Sequence, residues 1–241
     1  MSHHMTRFDS RGGARAENQL RTAMLDSVTH ELRTPLTSIK ASVTALLANS
    51  RLRPSERNDL FIVINEEAGL LNQLVGEAVE TAHLDDGVKL DLKQYSIEEI
   101  IDAAKEECRT LLGSRSISVQ VQPGLPAVYA DLRLAKKALG QLLGNAIKYS
   151  PPDEPITITA ELNGHFVMTS VADQGCGIDD SEQTLIFEKF YRGKDHRNVV
   201  EGTGMGLPIA RAIIKAHGGS LCVTTSRGQG CRFSFTLPID P

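Results

Sequence analysis

Two long stripes of apolar residues at helical spacing, separated by a short polar break, constrain this chain most. The first runs through Leu20, Met24, Val28, Leu32, Leu36, Ile39, Val43, Leu46 and Leu47. Its steps are mostly three and four residues, the period of one helix face. Arg51-Leu-Arg-Pro54-Ser55 interrupts it, and Pro54 suits a first helical position, where its missing N–H is no loss. The second stripe takes in Leu60, Val63, Ile64, Leu70, Leu71, Leu74, Val75, Ala78, Val79 and Ala82. Two helices of roughly thirty residues joined by a short turn make a helical hairpin, expected over residues 15–85. Two apolar faces alone form a thin core, so a second copy closing a four-helix bundle is expected. Packing of the hairpin on the rest of its own chain is the alternative.

Inside the first helix stands His30-Glu31-Leu-Arg-Thr34-Pro35-Leu. At about 100° per residue His30 falls about 200° from Val28, on the polar face, and Thr34 follows one turn later. A histidine on a polar helix face is ordinarily just solvated. Here an acid follows it directly, and a mid-helix proline, costing about 3 kcal/mol through a lost backbone bond, points to a wanted bend.

The 241 residues can hold two modest domains, and 41% apolar content supports real cores. A net charge of −4 with no basic stripe or tail argues against nucleic-acid and anionic-membrane binding. No apolar run reaches the roughly 18 residues of a membrane-spanning helix, so no membrane contact is expected in this fragment. Cys108, Cys176, Cys222 and Cys231 lack metal-site spacing and read as buried, reduced thiols. Ser2-His3-His4-Met5 looks like an expression-tag scar. Residues 1–14 are therefore expected to be a disordered tag remnant, with the natural protein continuing upstream.

After a linker at 86–89, residues 90–241 change to a mixed pattern. A short strand is expected at Leu90–Leu92, then Ser96-Ile-Glu-Glu99, a capping box opening a helix that reaches Leu111. A strand over Ile117–Val121, a helix from Asp131 to Tyr149 and a hairpin of 156–162 with 166–171, turned at Asn163-Gly164, follow. A helix from Gly206 to Ala216 and strands at 220–225 and 232–237 complete the chain. The expected class is α+β: the helical hairpin, then a two-layer α/β sandwich with a largely antiparallel sheet.

Four groups of residues in this half could carry chemistry. Gln141, Asn145 and Lys148 share the helix side opposite Ala135, Ala138, Leu139, Leu142, Leu143 and Ala146. Amide oxygens are hard ligands suited to Mg²⁺, and a lysine one turn on can meet phosphate; a plain solvated face is the bland reading. Asp173-Gln-Gly175-Cys-Gly177 follows a strand, where glycines allow close approach of a flat ligand and a carboxylate can accept from an exocyclic amine. Many surface turns look the same. Ile186 to Arg192, with Phe187, Phe190 and Tyr191, reads as the packed base of a loop with a cationic tip. Gly202-Thr203-Gly204-Met-Gly206-Leu207 enters a helix whose free N–H groups and dipole favour phosphate. It matches neither the dinucleotide fingerprint nor the Walker loop, so a flexible nucleotide lid, mobile over 193–201, is the better reading.

The order of these blocks resembles the transmitter region of bacterial sensor histidine kinases across about residues 20–238, with a second half similar to the GHKL (Bergerat) ATP-binding fold. The Leu20–Leu25 run is similar to Kdp-type potassium sensors. The resemblance implies that His30 attacks the γ-phosphate of ATP, that Glu31 orients the ring or acts as its base, and that Thr34 places a water for dephosphorylating a response regulator. It further implies Asn145, with Gln141, on Mg²⁺, Lys148 on phosphates, Tyr149 stacked by the adenine and Asp173 on its amino group. Gly175 and Gly177 would shape that pocket, and Phe190 and Arg192 would border it. Gly202, Thr203, Gly204, Gly206 and Leu207 would form the lid. Gln141 stands where the family often has a second asparagine. The partners implied are a second copy through the hairpin and a response-regulator receiver domain; the place implied is the cytosolic part of a longer, membrane-anchored sensor. Two rivals remain open on residues alone: a GHKL ATPase without a phosphorylated histidine, and a dimerisation scaffold with a degenerate nucleotide site.

Overall fold

The structure, a computed structural model, describes residues 29, 32–49, 52–85, 89–113, 115–193 and 202–240. The expectations for residues 1–14, for His30 and Glu31, for most of the linker and for lid residues 194–201 lie outside them. The chain divides into two compact units, Met1–Gly76 and Glu77–Pro241.

In the first unit, residues 32–48 form α1, helical straight through Pro35. Helix α2, Pro54–Asp85, begins on the proline and runs on into the second unit. Glu56 secures its start by accepting from the Arg53 N–H at 2.8 Å and from its guanidinium at 2.7 Å. Both apolar stripes are only partly covered within one chain: Leu36, Leu47, Val75 and Val79 are all more than half exposed. No helix among the described residues is long and apolar enough to cross a membrane.

The second unit is built on β1 (Lys93–Tyr95), α3 (Ile97–Glu107), the single turn α4 (Arg109–Leu112), β2 (Ile117–Val121), β3 (Val128–Ala130) and α5 (Leu132–Tyr149). Then come β4 (Ile156–Asn163), β5 (Phe166–Ala172), a 3₁₀ turn at Leu185–Phe187, α6 (Gly206–Ala216), β6 (Leu221–Thr225) and β7 (Cys231–Pro238). Five strands form one sheet in the order β2-β4-β5-β7-β6, antiparallel except where β2 pairs with β4. Strands β1 and β3 form a separate antiparallel pair. Alternate residues Ile156, Ile158 and Ala160 of β4, Val167 and Val171 of β5, and Phe233, Phe235 and Leu237 of β7 turn to one side. There they meet the buried faces of α3, α5 and α6. The expected two-layer α+β sandwich is the one observed.

Local signals that name their own partner came through intact. Ser96 accepts from Glu99 N and Glu99 accepts from Ser96 N, both halves of the capping box. Other details need correction. The first strand lies at Lys93–Tyr95 and not at Leu90–Leu92, because its position is set by pairing with β3 and it has no alternation of its own. The helix opened by Ser96 breaks at Cys108 (φ −88, ψ 1), so Leu111 belongs to a separate exposed turn. Asn163 pairs with Phe166, so the hairpin turns on Gly164-His165, one residue later than expected, with Gly164 at φ +61. Of the cysteines only Cys108 is fully buried; Cys176 and Cys222 are exposed, and all four are free. Cys222 and Cys231 lie on the neighbouring strands β6 and β7, opposite Ser234 and Thr225 respectively.

Candidate functional site

Helix α5 starts where Asp131 accepts from Leu134 N at 3.2 Å, an N-cap that fixes the helix phase. That phase buries Leu134, Ala135, Ala138, Leu139, Leu142, Leu143 and Ala146. It leaves Gln141 and Asn145 half-buried and Lys148 exposed, one turn apart on the other side. The helix stops at Ser150, whose hydroxyl donates to Ala146 O at 2.6 Å, just before Pro151 and Pro152.

Asp173 follows β5 directly and is buried. Its Oδ1 accepts from Gly175 N at 2.8 Å and from Cys231 N at 3.2 Å. Among the described residues no donor is bonded to Oδ2. Burial raises the Asp173 pKa, and the two backbone donors and the Arg115 cation partly offset that rise. Close backbone approach explains the glycines here. A Cβ at Gly175 would lie 2.4 Å from Tyr149 O, and one at Gly177, at φ +71, would lie 2.1 Å from Ser226 O. Tyr149 sits within the electrostatic reach of Arg192 and Cys176 while burial raises its own pKa. Phe187 stacks edge-on against Phe233, and Arg211 lies 5.6 Å from its ring centroid.

The glycine-rich segment is fastened to the Phe-rich one. Phe190, at φ 63, donates its N–H to Gly204 O at 3.1 Å, and Gly204 itself sits at φ +70. Thr203 accepts from Met205 N at 3.2 Å and donates to Glu77 of the same unit at 2.6 Å. Met205 is buried and caps α6 without a side-chain bond, so among the described residues the first N–H groups of α6 have no side-chain acceptor. Leu207 is half-buried against the core. A Cβ at Gly206 would lie 2.6 Å from the Gln141 amide oxygen, and one at Gly202 would lie 3.8 Å from Lys148 Nζ. The polar side of α5 therefore faces the N-terminus of α6. Gly204→Ala puts a methyl 2.8 Å from the Phe190 and Tyr191 backbones in a left-handed conformation. We expect it to weaken nucleotide binding about tenfold or more, measured by calorimetric titration.

One group of expected residues thus converges: Gln141, Lys148, Gly202 and Gly206 at one end, Tyr149, Asp173 and Gly175 at the other. Asn145 lies between Gln141 and Lys148 on α5, half-buried, and Thr34 is exposed on α1 in the first unit. Two contributors were not foreseen. Gly230, at φ +72, has room for no Cβ beside Asp173 O, and Thr225 accepts from Ile178 N while donating to Gly230 O. The Gly228-Gln-Gly230 turn carried a signal for the first; nothing local marked the second.

The chain matches the His Kinase A (phospho-acceptor) domain over residues 20–87. It matches the histidine kinase-, DNA gyrase B- and HSP90-like ATPase domain over residues 130–241. It is 34% identical over 236 residues to the signal transduction histidine-protein kinase/phosphatase MprB of Mycolicibacterium paratuberculosis, covering 93% of this chain and 44% of that protein. Full-length ShkA in complex with AMPPNP superposes with a TM-score of 0.66 at 29% identity, over 92% of this chain and 45% of that one. Histidine kinase ThkA, in complex with response regulator protein TrrA, shares the fold with a TM-score of 0.70 at 24% identity, over 94% of this chain and 64% of that one. The chain spans about half the length of the curated relatives it matches, or less. A phospho-acceptor domain followed by an ATPase domain of this type places the chain among the histidine protein kinases, as the transmitter core of a sensor histidine kinase.

Proposed function

We propose that this chain phosphorylates itself on His30 from ATP and passes the phosphoryl group to an aspartate of a response-regulator receiver domain. The observation that carries the reading is the convergence at α5: Lys148 beside Gly202 at the α6 N-terminus, and Tyr149 beside the Asp173 loop. That arrangement offers a cation and free N–H groups to phosphates at one end, and a buried carboxylate to an adenine amine at the other. In this reading residues 15–85 are the phosphoacceptor hairpin, 86–89 the linker and 90–241 the ATP-binding domain.

An imidazole nitrogen of His30 attacks the γ-phosphorus; a P–N bond forms as the bond to the ADP oxygen breaks. Glu31 orients the ring and takes up its proton. Such a transfer depends on in-line positioning and on charge stabilisation. Lys148 and the α6 N-terminus supply the second, and Tyr149 with Asp173 fixes the base. Thr34, one turn after His30, positions a water that hydrolyses the regulator's aspartyl phosphate, releasing inorganic phosphate and the free carboxylate. Among the described residues no group of three or more His, Cys, Asp or Glu could hold a metal. The amides of Asn145 and Gln141 suit Mg²⁺ shared with nucleotide phosphates, which it would neutralise.

The half-covered stripes of α1 and α2 support a homodimer through the hairpin, since closing a four-helix bundle would bury them. Sedimentation equilibrium tests this: a mass twice the 26.2 kDa chain is expected, and a monomer at micromolar concentration would contradict it. Phosphoryl transfer is tested by radiolabelled ATP. Label enters the chain with Mg²⁺, fails to enter with EDTA, and leaves it when a cognate receiver domain is added.

A further inference from the structure

Arg115 stands two residues before β2, outside every motif described above, and is half-buried. Its guanidinium reaches the C-terminal end of α5 and gathers backbone carbonyls. Nη1 donates to Ala146 O at 3.3 Å and to Ile147 O at 3.1 Å. Nη2 donates to Ser150 O at 2.8 Å and to Pro151 O, and Nε donates to Pro152 O at 3.2 Å. A helix that runs into two prolines loses the N–H groups that would otherwise close its last turn. A planar cation with five donors replaces them and also sits at the negative end of the helix dipole. The turn it closes carries Lys148 and Tyr149, and the Tyr149 carbonyl abuts Gly175 of the Asp173 loop.

We propose that Arg115 is a positioning residue for the nucleotide site, locking the last turn of α5 so that Lys148 and Tyr149 meet the nucleotide in one geometry. This rests on the reading of that pocket given above. Burial raises the Asp173 pKa, and after the Gly175 and Cys231 backbone donors the Arg115 cation also acts against that rise. Among the described residues Cys231 also interacts with Asp173; burial pushes its thiol up to about 11, so it stays neutral from acid to neutral pH.

ATP titrations from acid to neutral pH on the wild type, Arg115→Ala, Arg115→Lys and Asp173→Asn test the proposal. Arg115→Ala is expected to bind ATP about tenfold to a hundredfold more weakly at neutral pH, as charged hydrogen bonds are lost. The acid limb of binding also moves to higher pH, because Asp173 loses the cation that lowers its pKa. Arg115→Lys keeps the charge but not the fork, so the limb stays near wild type while part of the affinity loss remains. A weaker Arg115→Ala whose acid limb does not move is merely less well folded, and that result overturns the proposal. Wild-type affinity and limb in Arg115→Ala, with binding lost in Asp173→Asn, overturns the proposal alone. Wild-type binding by Asp173→Asn overturns the pocket reading, and the proposal with it. Should Arg115→Ala not fold, Arg115→Lys decides: reduced affinity with the limb held supports the clamp, and wild-type affinity overturns it.

Discussion

Asp173→Asn is expected to bind ATP at least about a hundredfold more weakly than the wild type, while melting no lower at neutral pH. The carboxylate has one oxygen committed to two backbone N–H groups, Gly175 and Cys231, which an asparagine carbonyl can still satisfy. The amide NH₂ then replaces the oxygen that faces the ligand, so a donor meets the exocyclic amine of the base. A bond is lost and two buried donors are opposed, together about 3–5 kcal/mol. The fold does not share the loss. Burial raises the Asp173 pKa, so the charged form is disfavoured where it sits, and a neutral amide of the same shape removes that penalty. Calorimetric titration with ATP and a thermal melt on the same sample check both halves. Equal affinity would mean that Asp173 does not read the base.

His30→Gln is expected to do the opposite: bind ATP as the wild type does, and take up no phosphoryl group. Glutamine keeps a polar, helix-compatible side chain at that position but offers no ring nitrogen to the γ-phosphorus. Label should fall to background, at least about a thousandfold below wild type. The expectation rests on the His-Glu-Leu-Arg-Thr-Pro sequence and on the phospho-acceptor match over residues 20–87, since His30 lies outside the described residues. Taken as a pair, the two variants separate the halves of the reaction. Asp173→Asn loses binding and transfer together; His30→Gln loses transfer alone. Label that survives His30→Gln would move the acceptor to another residue.

Features that carry their own partner nearby in the chain are legible in the sequence. Helix α5 has one buried face and a capped start, so its period alone places Gln141, Asn145 and Lys148 together on the other side. Gly206 opens α6 where the glycine run ends, as expected. Pro54 and the Ser96–Glu99 box announce helix starts because each satisfies or removes its own backbone donors. Features whose partner lies far along the chain stayed hidden. Strand β1 is placed by its pairing with β3, and its own three residues, Lys93-Gln-Tyr95, show no alternation. Arg115 answers carbonyls more than thirty residues away, so no spacing rule points to it. Cysteine exposure was misread because burial of Cys176 and Cys222 depends on loop and edge geometry rather than residue type.

The most direct test of the central claim is the chemical stability of the label that the wild-type chain takes from radiolabelled ATP with Mg²⁺. Phosphohistidine is lost in acid and survives base, whereas hydroxyl phosphate esters of serine and threonine survive acid. Acid-labile, base-stable label that disappears in His30→Gln is the result predicted for a histidine kinase core. Acid-stable label, or tight ATP binding with hydrolysis and no label at all, would contradict it and favour an ATPase built on the same fold.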